Sequence, residues 1–391
     1  MICVYAHMLQ NTEINIYLQS GCVRTHQVCQ IENMKDNTNI RIVDIAKLAG
    51  VSPGTVDRVL HNRGRVSEEK REKVEKILKE INYEPNMVAR FLASKKSYTF
   101  AVICPTYSEG DYWELVCEGI NRATSELRKF NISTEYFKFD QYSRDSFFKA
   151  VKSFKEKKFD GVLIATLFGE HVVNLSKELD EKEMPYIYID SGLSGQKDLS
   201  YFGGDSFGSG IIAAKLLLKE VGCNADIFFA HVRFKYDEIS VQMKTREQGF
   251  LDCLKKNDYA GRLYHIEIDP DNFSESLAEI EKIVSKNERL VGGIVLNSRI
   301  YELTRVLENM DVSLRNKVRL IGHDAIERNV EALKKDQVAY LLSQRPELQG
   351  YDAIKALGNY FLFKQSPEKV NYMPIDILVK ENIDFYNNYK L

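Results

Sequence analysis

The sequence predicts the α/β class: a small N-terminal helix-turn-helix headpiece of three helices with a hinge helix, then two lobes, each a doubly wound parallel sheet. Three observations carry this prediction. Residues from Arg41 to Tyr83 show a helical apolar period broken by capping signals. From Tyr98 onward, short apolar runs alternate with longer amphipathic stretches, the βαβα order of parallel sheets covered on both faces. The charge is split: the segment from Arg41 to Lys96 carries 13 Lys and Arg against 8 Asp and Glu, net +5, which leaves −7 for the rest of a chain whose total is −2.

At roughly 100 to 200 residues per domain, a chain of 391 residues holds two or three domains. Hydrophobic residues make up 44% and charged residues 28%, which excludes wholesale disorder and a globally basic nucleic-acid coat. There is no apolar run of about 18 residues to cross a bilayer. The start of the chain lacks the basic, apolar and small-residue order of a signal peptide, because Gln10, Asn11, Glu13 and Asn15 interrupt it. The expectation from these features is a cytoplasmic protein.

Residues 1–38 have no clear period and hold three of the seven cysteines, Cys3, Cys22 and Cys29. The expectation is a disordered tail or a true translation start at Met34. Cys104, Cys117, Cys223 and Cys253 complete an odd, scattered set with no CxxC pair, which reads as reduced thiols and no metal site.

The headpiece spans 39–84. Ile42, Ile45, Ala46 and Ala49 share one helical face, and Gly50 stops the helix. Ser52 is a good N-cap and Pro53 suits the first helical position, with Val56, Val59 and Leu60 on the buried side of a second helix. Ser67 caps a third helix with Glu68 and Glu69 at its positive dipole end and Val74, Ile77, Leu78 and Ile81 as its stripe. Two helices joined by a tight glycine turn form a helix-turn-helix. A basic module on an acidic body is the asymmetry expected when only one domain meets phosphates.

The run from Ile42 to Leu60, with Val66, Ser67, Arg71, Val74 and Asn82 to Asn86, resembles the DNA-binding headpiece of the LacI/GalR (lactose repressor) family. The resemblance implies that the second helix enters the major groove of a pseudo-palindromic operator. Ser52, Pro53, Gly54 and Thr55 then face base edges or phosphates, and Arg58 is the strongest base reader, since its fork matches O6 and N7 of guanine. Gly54 permits close backbone approach. Asp57 departs from the small polar residue usual there, and either accepts from a cytosine amino group or orients Arg58. His61, Asn62 and Arg63 are placed for phosphate or adjacent bases. Residues 85–97 form the hinge and linker. Within them Asn86 to Ala93 is similar to the family's hinge helix, where Leu92 wedges into the central minor-groove step and Ala89 lets two such helices pack in a homodimer. Alone, so short a helix is unstable, so it orders on DNA with its dimer mate.

The effector and dimerisation domain spans 98–391. Its strand runs are Phe100 to Cys104, Thr134 to Phe139, Gly161 to Ala165, Tyr186 to Asp190, Asp226 to Val232, Tyr264 to Ile268, Gly293 to Asn297, Leu320 to Asp324 and Val338 to Ser343. Helical stretches such as Leu115 to Lys129, Phe147 to Lys157, Ser206 to Val221 and Ser274 to Lys286 lie between them. So long a segment exceeds one core, which predicts two lobes with a ligand at the carboxyl ends of the strands. Asp160-Gly161, Pro185 to Asp190, Arg246 to Phe250, Gly293 to Asn297, Gly322 to Asp324 and Gln344 to Pro346 resemble the same family and the periplasmic sugar-binding proteins. The resemblance implies that Asp190, Arg246, Asn297, Asp324 and Gln344 bind sugar hydroxyls, and that Tyr112 and Trp113 stack on the ring. The plainer alternatives are that Asp324 and Asn297 cap the helices that follow and that Trp113 is core. Ser191 and Ser298 replace the basic and acidic residues usual at those positions.

Enzymatic readings are weaker. Gly203 to Gly210 lacks the Lys-Ser/Thr ending of a P-loop and does not fit GxGxxG. The histidines are dispersed, and adjacent His323 and Asp324 point to opposite faces of a strand. No catalytic residue, metal or cofactor is expected. The expected function is a dimeric, sequence-specific transcriptional regulator, most simply a repressor, controlled by a sugar or sugar derivative. The competing function is a soluble sugar-binding receptor or carbohydrate enzyme with a helical interaction module. Nothing after Tyr372 forms a leucine heptad to make tetramers.

Overall fold

The computed structural model describes residues 40–60, 63–81, 83, 96–232 and 240–389. The expectations for residues 1–38 and for His61, Asn62, Asn86, Ala89 and Leu92 lie outside the described residues. The chain divides into two units, residues 1–90 and 91–391.

In the first unit, α1 (Ile42–Ala49), α2 (Pro53–Leu60) and α3 (Glu68–Glu80) enclose one small core. Ile45, Val56 and Val74 are fully buried there, one from each helix, with Ala46, Ala49, Val59, Ile77 and Ile81 around them. Gly50 ends α1 in the left-handed region (φ 64), where its NH reaches back to Ala46 and Lys47 carbonyls. Thr55 N donates to Ser52 Oγ at 3.3 Å, so Ser52 caps α2 as its side-chain chemistry predicts. Ser67 sits at the start of α3 but makes no side-chain cap bond.

The second unit contains two sheets of the same topology. Lobe 1 is built from β1 (Tyr98–Pro105), α4 (Tyr112–Leu127), β2 (Ile132–Phe139), α5 (Arg144–Lys155), β3 (Gly161–Ala165), α6 (Gly169–Glu181), β4 (Tyr186–Ile189) and β5 (Ser200–Gly204). Lobe 2 follows with α7 (Ser206–Val221), β6 (Ile227–Val232), α8 (Val241–Lys256), β7 (Leu263–Ile268), α9 (Ser274–Ser285), β8 (Val291–Ile294), α10 (Ile300–Glu308), α11 (Val312–Arg315), β9 (Val318–His323), α12 (Glu327–Lys334) and β10 (Tyr340–Ser343). The chain returns to lobe 1 through α13 (Pro346–Phe363) and β11 (Val370–Met373), then to lobe 2 with β12 (Asp376–Leu378). The orders are β11-β5-β4-β3-β1-β2 and β12-β10-β9-β8-β6-β7. All neighbours in lobe 1 are parallel; in lobe 2 only β12 is antiparallel, to β10.

Each lobe owes its shape to apolar strands buried on both faces. In lobe 2, Val291, Leu303 and Val306 belong to the core on one face, and Ala213, Leu217 and Phe250 to that on the other. The helices α7 and α8 approach so closely that a Cβ on Gly210 would lie 1.9 Å from the Arg246 carbonyl oxygen, and one on Gly249 would lie 2.1 Å from that of Phe207. Only glycine fits at both points.

Nine strand runs are legible in the sequence, but β5, β11 and β12 are not. Ser200-Tyr-Phe-Gly-Gly204 has no β-branched residue, β11 is a half-exposed edge and β12 has three residues. Asp190, Asn297 and Asp324, read as strand ends, fall just beyond β4, β8 and β9.

Candidate functional site

Two surfaces are candidates for function. On the headpiece, Val56 and Val59 turn inward, which leaves Ser52, Pro53, Gly54 and Arg58 exposed and Thr55 and Asp57 half-buried on the opposite side of α2. The Arg58 guanidinium runs back along the helix, with Nη2 3.9 Å from the place a Gly54 Cβ would occupy, and its Cδ is 3.5 Å from that of Gly64. A side chain at Gly54 would crowd this path. Arg63 N donates to the Arg58 carbonyl at 2.9 Å.

The second surface is a cavity between the two lobes at the carboxyl ends of their strands, where the open-sheet rule places ligands. Tyr112, Trp113, Asp190, Asn297 and Asp324 line it together. The loop after β4 presents Asp190, and the loop after β9 presents Asp324. Tyr112 and Trp113 open α4 as an edge-to-face pair with ring centroids 5.4 Å apart.

The floor is a buried electrostatic cluster. Asp190 Oδ1 accepts from Gln242 Nε2 at 2.8 Å, and Oδ2 from Ser191 Oγ at 3.4 Å. The side chain and backbone of Gln344 favour the charged form of Asp324, yet the Asp324 Oδ1 is buried with no partner. Burial is the largest influence on both carboxyls and pushes each up to about 6, against the opposing pull of Arg246. Burial, then the negative charge of Asp190 and Asp324, pushes the Tyr112 phenol well up, so it stays a neutral hydroxyl. It donates to Gln349 Oε1 at 3.3 Å and accepts from Gln344 Nε2 at 3.4 Å.

Arg246 and Gln344 are not on the cavity wall. Arg246 is 1% exposed, donates from Nη1 to the Leu296 carbonyl at 2.7 Å and leaves Nε unpartnered. It lies behind the wall because Gln242, one turn earlier on the same face of α8, takes the surface position. Gln344 is a crossover residue: its Oε1 would lie 2.5 Å from a Cβ on Gly204, so it packs where the lobes join. Asn297 has spent its carbonyl on Arg299 N (3.1 Å), which is the capping alternative, while its Nδ2 faces Met243 Sδ at 3.8 Å. Trp113 is 5% exposed, both wall and core. His323 is buried and neutral, driven well down by burial, with Nδ1 3.0 Å from the Val295 carbonyl oxygen.

Sequence reasoning missed Gln141, Tyr142, Ser240, Gln242, Arg299 and Tyr301, all of which line the cavity. The i, i+4 spacing of Gln242 and Arg246 was a signal for the fourth of these. For Gln141 and Tyr142 it was their place just past β2. Across the cleft, Arg328 Nη2 meets Asp111 Oδ1 at 3.4 Å and its guanidinium lies over Tyr301 at 4.5 Å, while Arg299 lies over Tyr142 at 5.3 Å. Among the described residues no group of His, Cys, Asp or Glu forms a metal cluster, and no helix is long and apolar enough to cross a membrane.

Residues 41–86 match the lacI family of bacterial regulatory proteins, and residues 100–365 match the periplasmic binding protein domain. The sucrose operon repressor of Streptococcus mutans is 27% identical over 88% of this chain and 99% of its own length. The transcriptional regulator DegA of Bacillus subtilis is 34% identical, but over 38% of this chain and less than half (43%) of that protein. A crystal structure from Bacteroides fragilis assigned to the LacI transcriptional regulators superposes with a TM-score of 0.69 at 33% identity, covering 74% of this chain and all of that one.

Proposed function

Since this chain belongs to the LacI family of bacterial regulatory proteins and carries a periplasmic binding protein domain, we propose that it is a sequence-specific transcriptional regulator, acting in the cytoplasm as a repressor, whose operator affinity is set by a sugar or sugar derivative held between its lobes. The observation that carries the reading is the pairing in one chain of an exposed, Arg58-bearing helix with a cleft that ends in two buried carboxylates.

Each headpiece of a homodimer reads one half-site of a pseudo-palindrome. Ser52 to Thr55 approach the backbone and base edges, Arg58 reads a guanine, and Asp57 with His61 and Asn62 completes the contact. Asn86, Ala89 and Leu92 act at the operator centre. In the cleft, Tyr112 and Trp113 offer ring faces, and Asp190, Asn297 and Asp324 offer polar atoms to hydroxyls. Arg246 and Gln344 hold those carboxylates and meet the ligand directly only if the lobes rearrange on binding. Ligand that favours one lobe arrangement shifts the geometry presented to DNA, and the coupling acts equally in both directions. No catalytic step belongs to this function.

Selection of bound sites from a random DNA pool at stated salt tests it. Enrichment of a pseudo-palindrome is expected; no enrichment with or without sugars contradicts it and favours a sugar receptor whose helical module binds protein.

A further inference from the structure

Building on the assignment of the cleft as an effector site, we infer that its ligand is a hydroxyl-bearing ring with no acidic group, and that sugar acids and sugar phosphates are rejected by charge on the cavity floor. Three lining side chains are carboxylates, Asp111, Asp190 and Asp324, and among the described residues that line the cavity the only cation is Arg299. Arg299 is engaged over the Tyr142 ring. Of the cations behind the wall, Arg328 is paired with Asp111 and lies over Tyr301, and Arg246 is fully buried, tied to the Leu296 carbonyl and already drawn to the two floor carboxylates. The residue after Asp190 is Ser191, whose hydroxyl bonds that same carboxylate and brings no positive charge. A ligand carboxylate or phosphate seated on this floor would meet like charge in a medium that screens poorly, and among the described residues no unshared cation lines the cavity to balance it.

The floor also states what it accepts. Both oxygens of Asp190 have protein donors, whereas Asp324 Oδ1 is buried and has none. That atom needs a donor from the ligand, and a hydroxyl group supplies one. Burial raises both carboxyls only to about 6, so at pH 7.5 both are charged and act as acceptors. Asp324 is therefore the specificity-determining residue: it rewards a hydroxyl and penalises an anion at one atom.

The test is calorimetric titration of the full-length protein at pH 7.5 with a panel of neutral aldoses, the uronate of each and the phosphate ester of each. At least one neutral sugar is expected to bind, with its uronate and phosphate ester weaker by about a hundredfold. A uronate or phosphate ester that binds as tightly as its neutral parent overturns the inference while leaving a sugar-derived effector in place. Absence of binding by every compound overturns the effector reading and the inference with it. Asp324→Asn, checked for folding by its thermal transition, is expected to weaken the neutral sugar by about tenfold and narrow the gap to its acid. An unchanged gap removes Asp324 as the determinant.

Discussion

Asp190 and Asp324 are topological counterparts: each follows the same strand of its lobe, β4 and β9, and each holds a left-handed backbone, with φ 78 and 63. Both are buried, and both interact with the one guanidinium of Arg246. Aspartate tolerates this backbone region better than most residues. A duplicated lobe thus delivers two carboxylates to one cavity from opposite sides, and the site is a product of the topology as much as of local sequence.

The carboxylates lower stability. A carboxyl whose folded pKa is raised binds its proton more tightly folded than unfolded, so its stabilising effect is complete below about 4 and is lost as pH rises through about 6. Asp324→Asn should therefore raise the thermal midpoint of ligand-free protein at pH 8, by an amount equivalent to at most about 3 kcal/mol. The gain should shrink below pH 6 and vanish near pH 4. Thermal unfolding at several pH values measures this, and a gain independent of pH would show that burial is not the cause.

Gln242 is the side chain that fixes Asp190 from the opposite lobe. Gln242→Leu keeps the size but leaves Asp190 Oδ1 without that donor, a loss of about 1 to 3 kcal/mol. Weaker ligand binding by tenfold or more is expected in titration, with the loss growing as pH falls toward 6. Wild-type affinity would remove Gln242 from the site.

Gly210 and Gly249 allow α7 and α8 to touch, and α8 carries both Gln242 and Arg246. Gly210→Ala forces the helices apart and should cost at least about 2 kcal/mol in denaturant unfolding, with ligand affinity reduced as well. Unchanged stability would mean that the close approach is not required.

How much of this was legible in the sequence follows from what each residue does. The three helices of the headpiece could be read because their signals are local: an apolar period, Gly50 in a turn, Ser52 at a cap; the cap bond expected of Ser67 is not made. The alternation of strands and helices was equally visible. Asp190, Asn297 and Asp324 were marked by the family resemblance at the ends of apolar runs, and each lines the cavity. Gln242 could not be assigned its role, because its partner is 52 residues away on the other lobe. Arg246 could be identified but not placed, since only the packing of α8 decides which of two residues on one helical face reaches the cavity. The strands β5, β11 and β12 take their conformation from pairing with neighbours distant in sequence.

Arg58 is the side chain proposed to carry base recognition. Arg58→Ala should weaken binding to the selected operator by about 1 to 3 kcal/mol and relax preference at a single base pair per half-site. Competition binding with operators varied at each position checks this. Equal loss on all sequences would assign Arg58 to phosphate instead.

The central claim is that the cleft and the headpiece are coupled, and it is tested most directly by titrating the selected operator with and without saturating sugar at fixed salt. A change in operator affinity of about 5- to 150-fold is expected, with the sugar's own affinity changed by the same factor when DNA is saturating. Operator affinity that is the same with and without bound sugar would contradict the account.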